Sequence, residues 1–206
     1  MNHLFIDTST SYCSLNVNVK NELVYSKFWK SNNNHSEELY ENFSKTKNYL
    51  NELDYVGVLL GPGGFNSIRI GISFAMSIIL SKDIKIIGIP THLVQAVDHI
   101  ESKKNIISVI NCGKNITSWA KFKNGLIDPT EIGIEEVNNF DGENYCGETK
   151  GYKENPRHYQ KILKSADLLI EKVGFNNPED ILPIYSKKPS ISKPKQAYKI
   201  FEDKGE

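Results

Sequence analysis

The order of apolar runs predicts an α/β fold built on a mixed sheet and divided into two lobes. Three observations carry this. Residues 3–29 hold three strand-like runs joined by short turns, an antiparallel opening. From Ser31 to Ile100, helical patterns alternate with short apolar runs, as the crossover units of a sheet do. Near Asn105 a second strand-led half begins. The expected division is a lobe at residues 1–100 and a second at residues 101–206.

The elements follow in order. HLFIDTS (3–9) is an apolar run that ends in an acid and hydroxyls, SLNVNV (14–19) alternates polar and apolar, and LVYSKFW (23–29) is rich in β-branched and aromatic types. Lys20-Asn21 reads as a turn between the last two. Asn34, with Glu37 three residues on, forms a capping-box-like start for a helix over 36–53. Its expected apolar face is Leu39, Phe43, Leu50 and Leu53, widened by Tyr40. YVGVLL (55–60) is a continuous apolar run, as in a buried strand. A glycine-rich turn at 61–64 leads into a helix over about 67–81, with Ile68, Ile72, Ala75, Met76, Ile79 and Leu80 recurring. KIIGI (85–89) is a strand, and Pro90-Thr91 opens a third helix. In the second half IISVIN, ITSWAKF and EIGIEEV are strand-like. Residues 158–173 carry helical spacing from Tyr159 to Val173, with Gly174 as its C-terminal cap. The Lys, Pro and Ser-rich end from Lys187 is expected to be loose.

Composition narrows the function classes. The 206 residues carry 25 Lys plus Arg against 25 Asp plus Glu. A free-standing nucleic-acid binder depends on phosphate contacts and usually shows a basic excess, so any work on RNA calls for a partner. Cys13, Cys112 and Cys146 are odd in number and form no CxxC pair, which argues against a disulfide framework or a zinc knuckle. MNHLFIDTST has neither the basic start nor the long apolar stretch of a secretory leader, and no run is long enough to span a bilayer. A cytoplasmic protein is expected.

The strongest local signal is Gly61-Pro62-Gly63-Gly64-Phe65 between a buried strand and a helix. Glycines there permit close backbone approach, and the helix start offers free N–H groups. It reads either as an anion or nucleotide cradle or as a tight turn packed on the sheet, and spacing alone favours the turn. No Gly-Lys-Ser/Thr follows, so it is not a Walker loop.

GPGGFNSIRIG (61–71) resembles the GPGSFTGLRIG signature of the TsaB (YeaZ) family. FIDTSTSYCSLNV (5–17), HSEEL (35–39) and PIYSKK (183–188) are similar to that family's opening strands, first helix start and Pro-x-Tyr-x-Arg element. The resemblance implies an actin-like ATPase (ASKHA, ribonuclease H-like) fold with a reduced second lobe. It further implies a non-catalytic scaffold that supports threonylcarbamoyl transfer to the adenosine beside the anticodon of tRNA. The implied partners are a TsaD-like catalytic subunit, a TsaE-like ATPase and tRNA through the complex, with a homodimer when the chain is alone. Leu39, Phe43, Ile68, Ile72 and Met76 are the expected partner contacts. Asp7, Thr8 and Ser9 hold the place of the first phosphate loop and, with Gly61, Gly63 and Gly64, form a vestigial nucleotide site. No catalytic residue, metal site or required cofactor is expected, beyond weak ATP or ADP with Mg at the complex.

The second phosphate loop should carry an acid, and here reads Asn111-Cys112-Gly113-Lys114. TsaD-like enzymes show His-x-x-x-His after the strand that corresponds to 85–89. Here His92 is followed by Ala96, and His99 stands ~10 Å along a helix, too far to share a metal. Cys112 and His158 show no nucleophile pairing. Lys187, Lys188, Lys193, Lys195 and Lys199 form a basic cluster, read as a tRNA or partner contact or as a solvated tail. The alternative function is an independent ATPase or phosphotransferase of this fold; a simple homodimer of unrelated role is the third.

Overall fold

A computed structural model describes residues 1–113, 115–136, 144–148 and 157–187. The first sheet has the order β3-β2-β1-β4-β5. Its strands are β1 (His3–Asp7), β2 (Tyr12–Val19), β3 (Glu22–Lys30), β4 (Tyr55–Gly61) and β5 (Lys85–Pro90). The first three are antiparallel, and β4 and β5 run parallel to β1. Lys20 and Asn21 both take positive φ (53° and 66°), as the two-residue turn of a twisted hairpin requires. The second sheet, β8-β7-β6-β9, repeats the order of the first four strands. It comprises β6 (Ile106–Asn111), β7 (Thr117–Phe122), β8 (Glu131–Glu135) and β9 (Tyr145–Gly147). At three residues, β9 is too short for its periodicity to be seen in the sequence.

Among the described residues four α-helices cover the sheets: α1 (His35–Ser44), α2 (Phe65–Lys82), α3 (Thr91–Glu101) and α4 (Tyr159–Val173). α1 and α2 pack on one face of the first sheet, around Leu4, Ile6, Leu15, Val56 and Val58. α4 closes the opposite face, where Ile162 and Ala166 meet Phe5, Tyr55, Leu59 and Ile87. α3 is apolar on two sides. Val94 joins that second layer, while Leu93, Ala96 and Ile100 meet Ile106, Ala120 and Phe122 of the other sheet. No helix among the described residues is long and apolar enough to cross a membrane.

Three expectations are corrected. The helix predicted over 36–53 ends at Ser44 and continues as a 3-10 segment, Lys47–Glu52. The amides of Lys45 and Thr46 turn to the carbonyls of Asn42 and Phe43, and the Thr46 hydroxyl takes the latter as well, which tightens and ends the helix. Asn34 makes no side-chain cap; its amide bonds the Glu37 carboxylate instead. Tyr40 points outward at 57% exposure rather than widening the buried face.

After α4 the chain returns across the first sheet. Asn176 forms a bridge with Ile86 and accepts from the Gly88 amide, Ile181 enters the core, and the Ile184 amide donates to the Leu60 carbonyl. Of the basic cluster only Lys187 is described; Lys188, Lys193, Lys195 and Lys199 lie outside the described residues.

Candidate functional site

The C-terminal ends of β1 and β4 bring the two sequence-predicted loops together. Asp7 Oδ1 accepts from the Ser9 amide (2.9 Å) and the Ser9 hydroxyl (2.7 Å), a turn closed by its own acid. The Thr8 hydroxyl donates to the Ser67 carbonyl (2.7 Å), across to the start of α2. The glycine turn faces this loop. The Gly64 amide donates to the Ser9 carbonyl (2.7 Å), and so does the Ser67 hydroxyl (3.3 Å). A Cβ on Gly63 would lie 1.9 Å from that same carbonyl oxygen, so only glycine permits the approach. The returning chain presses on the other side: a Cβ on Gly61, at φ +100°, would meet the Ile184 carbonyl at 2.5 Å, and Tyr185 stacks on Phe65 at 4.7 Å. The turn is thus packed between two stretches of main chain.

Asp7 has a further partner that the sequence reading missed. Arg157, just before α4, is 1% exposed and places Nε 2.7 Å from Asp7 Oδ2. Its Nη1 donates to Glu148 Oε1 (2.7 Å), and Nη2 donates to the Thr10 hydroxyl (2.8 Å) and the Tyr12 carbonyl (3.0 Å). Glu148 follows β9. Its Oε1 also accepts from the Thr10 hydroxyl (2.8 Å), and its Oε2 accepts from the Asn111 amide at the end of β6 (3.0 Å). Burial opposes the charge on Arg157, but the two carboxylates and their hydrogen bonds outweigh it and hold its pKa above the usual arginine value. The one available signal was composition: Arg69 and Arg157 are the only arginines in the chain, and arginine is the cation suited to buried forks.

The second-half residues are engaged nearby. Asn111 Oδ1 accepts from the Gly113 amide (2.8 Å), closing its own turn. Cys112 Sγ lies 3.4 Å from Ser186 Oγ, and burial pushes its thiol up. His92 is held by Ser108 (Nδ1, 2.8 Å) and Ser118 (Nε2, 3.0 Å), and burial, with the Arg157 charge adding to it, lowers its pKa to about 3. His99 is half-buried at the far end of α3, and His158 precedes α4.

The expected partner contacts divide. Leu39 and Ile68 are fully buried, and Ile72 keeps 8% exposure, because all three point into the core of the first sheet. They belong to the core and not to a docking face. Phe43 and Met76 sit at its margin, with Phe43 edge-on to Phe74 at 4.8 Å.

The two mixed sheets flanked by helices make this an α/β fold. No family model matches the chain. It is 34% identical over 125 residues to the tRNA threonylcarbamoyladenosine biosynthesis protein TsaB of Buchnera aphidicola from Acyrthosiphon pisum, covering 58% of this chain and 56% of the relative. The protein of the same name from the Schizaphis graminum strain is also 34% identical, with 59% of its length covered. The chain therefore spans little more than half the length of these curated relatives. YeaZ from Pseudomonas aeruginosa superposes with a TM-score of 0.70 at 16% identity, over 89% of this chain and 99% of that one, which speaks to the fold. Together these likenesses make the chain similar to the TsaB proteins in part of its sequence and to YeaZ in its fold.

Proposed function

We propose that this chain is a non-catalytic subunit in tRNA threonylcarbamoyladenosine biosynthesis, acting in the cytoplasm by pairing with a TsaD-like catalytic subunit. The first part rests on the name carried by its curated relatives. The pairing rests on one observation, the outer face of α2. A helix on a protein surface normally turns charge toward water. From Ile70 to Ser81 this helix carries no charged residue, yet Ser73, Ser77 and Leu80 are exposed, Leu80 at 74%. The hydroxyls of Ser77 and Ser81 turn back onto the Ser73 and Ile78 carbonyls. Partly buried Phe74 and Met76 flank the stripe, and Phe43 of α1 meets Phe74 edge-on. The result is an uncharged stripe suited to a second helix.

The Asp7, Thr8, Ser9, Gly61, Gly63 and Gly64 cluster supports the non-catalytic reading, since its polar groups and main chain are spent on one another and on Arg157.

Leu80→Asp and Ser77→Arg alter only exposed positions and are expected to leave the far-UV spectrum and Tm unchanged. Light scattering after size-exclusion chromatography with the TsaD-like chain of the same genome is expected to show a one-to-one complex for the parent chain and separate peaks for both variants. An intact complex with either variant would remove α2 as the contact. Magnesium-dependent nucleotide hydrolysis by the isolated chain would replace the scaffold reading with the ATPase one.

A further inference from the structure

We propose that Asp7 and Glu148 form a cation site at the junction of the two sheets, and that Arg157 is its tethered, permanent occupant, closing the sheets on each other without a ligand. The geometry carries this independently of any pairing with a catalytic subunit. Asp7 ends a strand of the first sheet, and Glu148 follows a strand of the second. One guanidinium bonds both, at 2.7 Å each. The same group reaches Thr10 and the Tyr12 carbonyl on the first-sheet side. Through Glu148 it also fixes the Asn111 amide on the second-sheet side. The side chains of Asp7, Glu148 and Arg157 are 2%, 5% and 1% exposed. A hydrated divalent cation needs room for its waters, and these carboxylates face the guanidinium rather than solvent. A planar five-donor fork suits two carboxylates, a hydroxyl and a carbonyl placed around it, whereas an ammonium presents no such fork.

Such a cluster is costly to leave half-made, because removing one partner strands buried charge. Arg157→Ala is expected to lower Tm by roughly 10 °C. Millimolar ethylguanidinium, which refills the vacated fork, is expected to restore part of that loss, and ethylammonium to restore none. The parent chain is expected to show no Tm shift with Mg-ADP. A parent-like Tm for Arg157→Ala, equal response to the two amines, or a Tm gain of the parent chain with Mg-ADP would each overturn the proposal.

Should Arg157→Ala fail to fold, Glu148→Gln keeps the side-chain shape and removes one of the two charges. Hydrogen exchange is then expected to quicken at least tenfold at the Asn111 amide while Phe5, inside the first sheet, stays protected. Unchanged exchange at Asn111 would show that the guanidinium does not bind the second sheet to the first.

Discussion

The two sheets share a strand order through the fourth strand, yet different forces hold them. β1 is buried along its whole length, with alternate residues feeding α2 on one face and α4 on the other. A one-residue slip there would exchange two complete apolar sets, so burial itself sets the register. Among the described residues, α3 is the helix that packs on the second sheet, against Ile106, Ala120 and Phe122. β8 leaves Ile132 and Ile134 exposed at 72% and 42%, and β9 has three residues. Its alignment relies on polar pins: His92 between Ser108 and Ser118, the Gln95 amide on the Val109 carbonyl, and Glu148 on the Asn111 amide. One topology is thus specified by apolar area in the sheet packed between two helix layers, and with the help of individual hydrogen bonds in the sheet on which, among the described residues, one helix packs.

The largest effect should come from breaking the apolar layer. Ile68→Asp sets an unpaired carboxylate among Ile6, Val56 and Val58, at a cost of more than about 4 kcal/mol, and is expected to abolish the cooperative unfolding transition seen by circular dichroism. Ile72→Asp lies in the same layer and is expected to behave alike. A complex lost with that variant would report a lost fold, which is why the exposed Leu80 and Ser77 are the proper probes of pairing.

The polar pins give a smaller effect, with a pH signature. The folded-state pKa of His92 is lowered from 6.5 to about 3, first by burial and then by the Arg157 charge. The unfolded chain therefore binds a proton below about pH 6.5 that the folded chain refuses. The contribution of this group is complete above that pH and falls by about 1.4 kcal/mol per pH unit on acidification toward 3. Urea titrations at pH 7 and pH 5 are expected to show a loss in the parent chain that is about 2 kcal/mol larger than in His92→Gln. Equal losses would mean that the ring is protonated in place or that the second sheet opens before it titrates.

The same contrast explains what the sequence disclosed. β1, β4, the glycine turn, α2 and α4 were legible because an apolar period or a run of glycines is a local property. The division of α2 into a buried face and an uncharged exposed one was not, since Ile68, Ile72 and Met76 share one pattern and only the sheet decides which of them it covers. The Arg157 cluster was least legible of all. Its partners lie 150 and 9 residues away, and a hydrogen-bonded fork leaves no periodic trace in either segment. The rarity of arginine in a lysine-rich chain was its only mark.

The smallest effect tests whether the second sheet is as weakly committed on its outer strand as its exposure implies. Ile132 pairs opposite Ala120, on the side that α3 covers over β6 and β7, but the helix does not reach β8. Removing its branched apolar tip should therefore cost little burial. Ile132→Thr keeps the β-branched shape suited to a strand, and the expected change is within about 0.5 kcal/mol in a urea titration. An apolar side chain on an edge strand also invites pairing with another chain, so the same variant should be no more prone to aggregate than the parent, and less so on heating. A loss above about 1.5 kcal/mol would mean that Ile132 is covered in solution. The second sheet would then owe its register to apolar area as the first does, and the distinction between the two would fail.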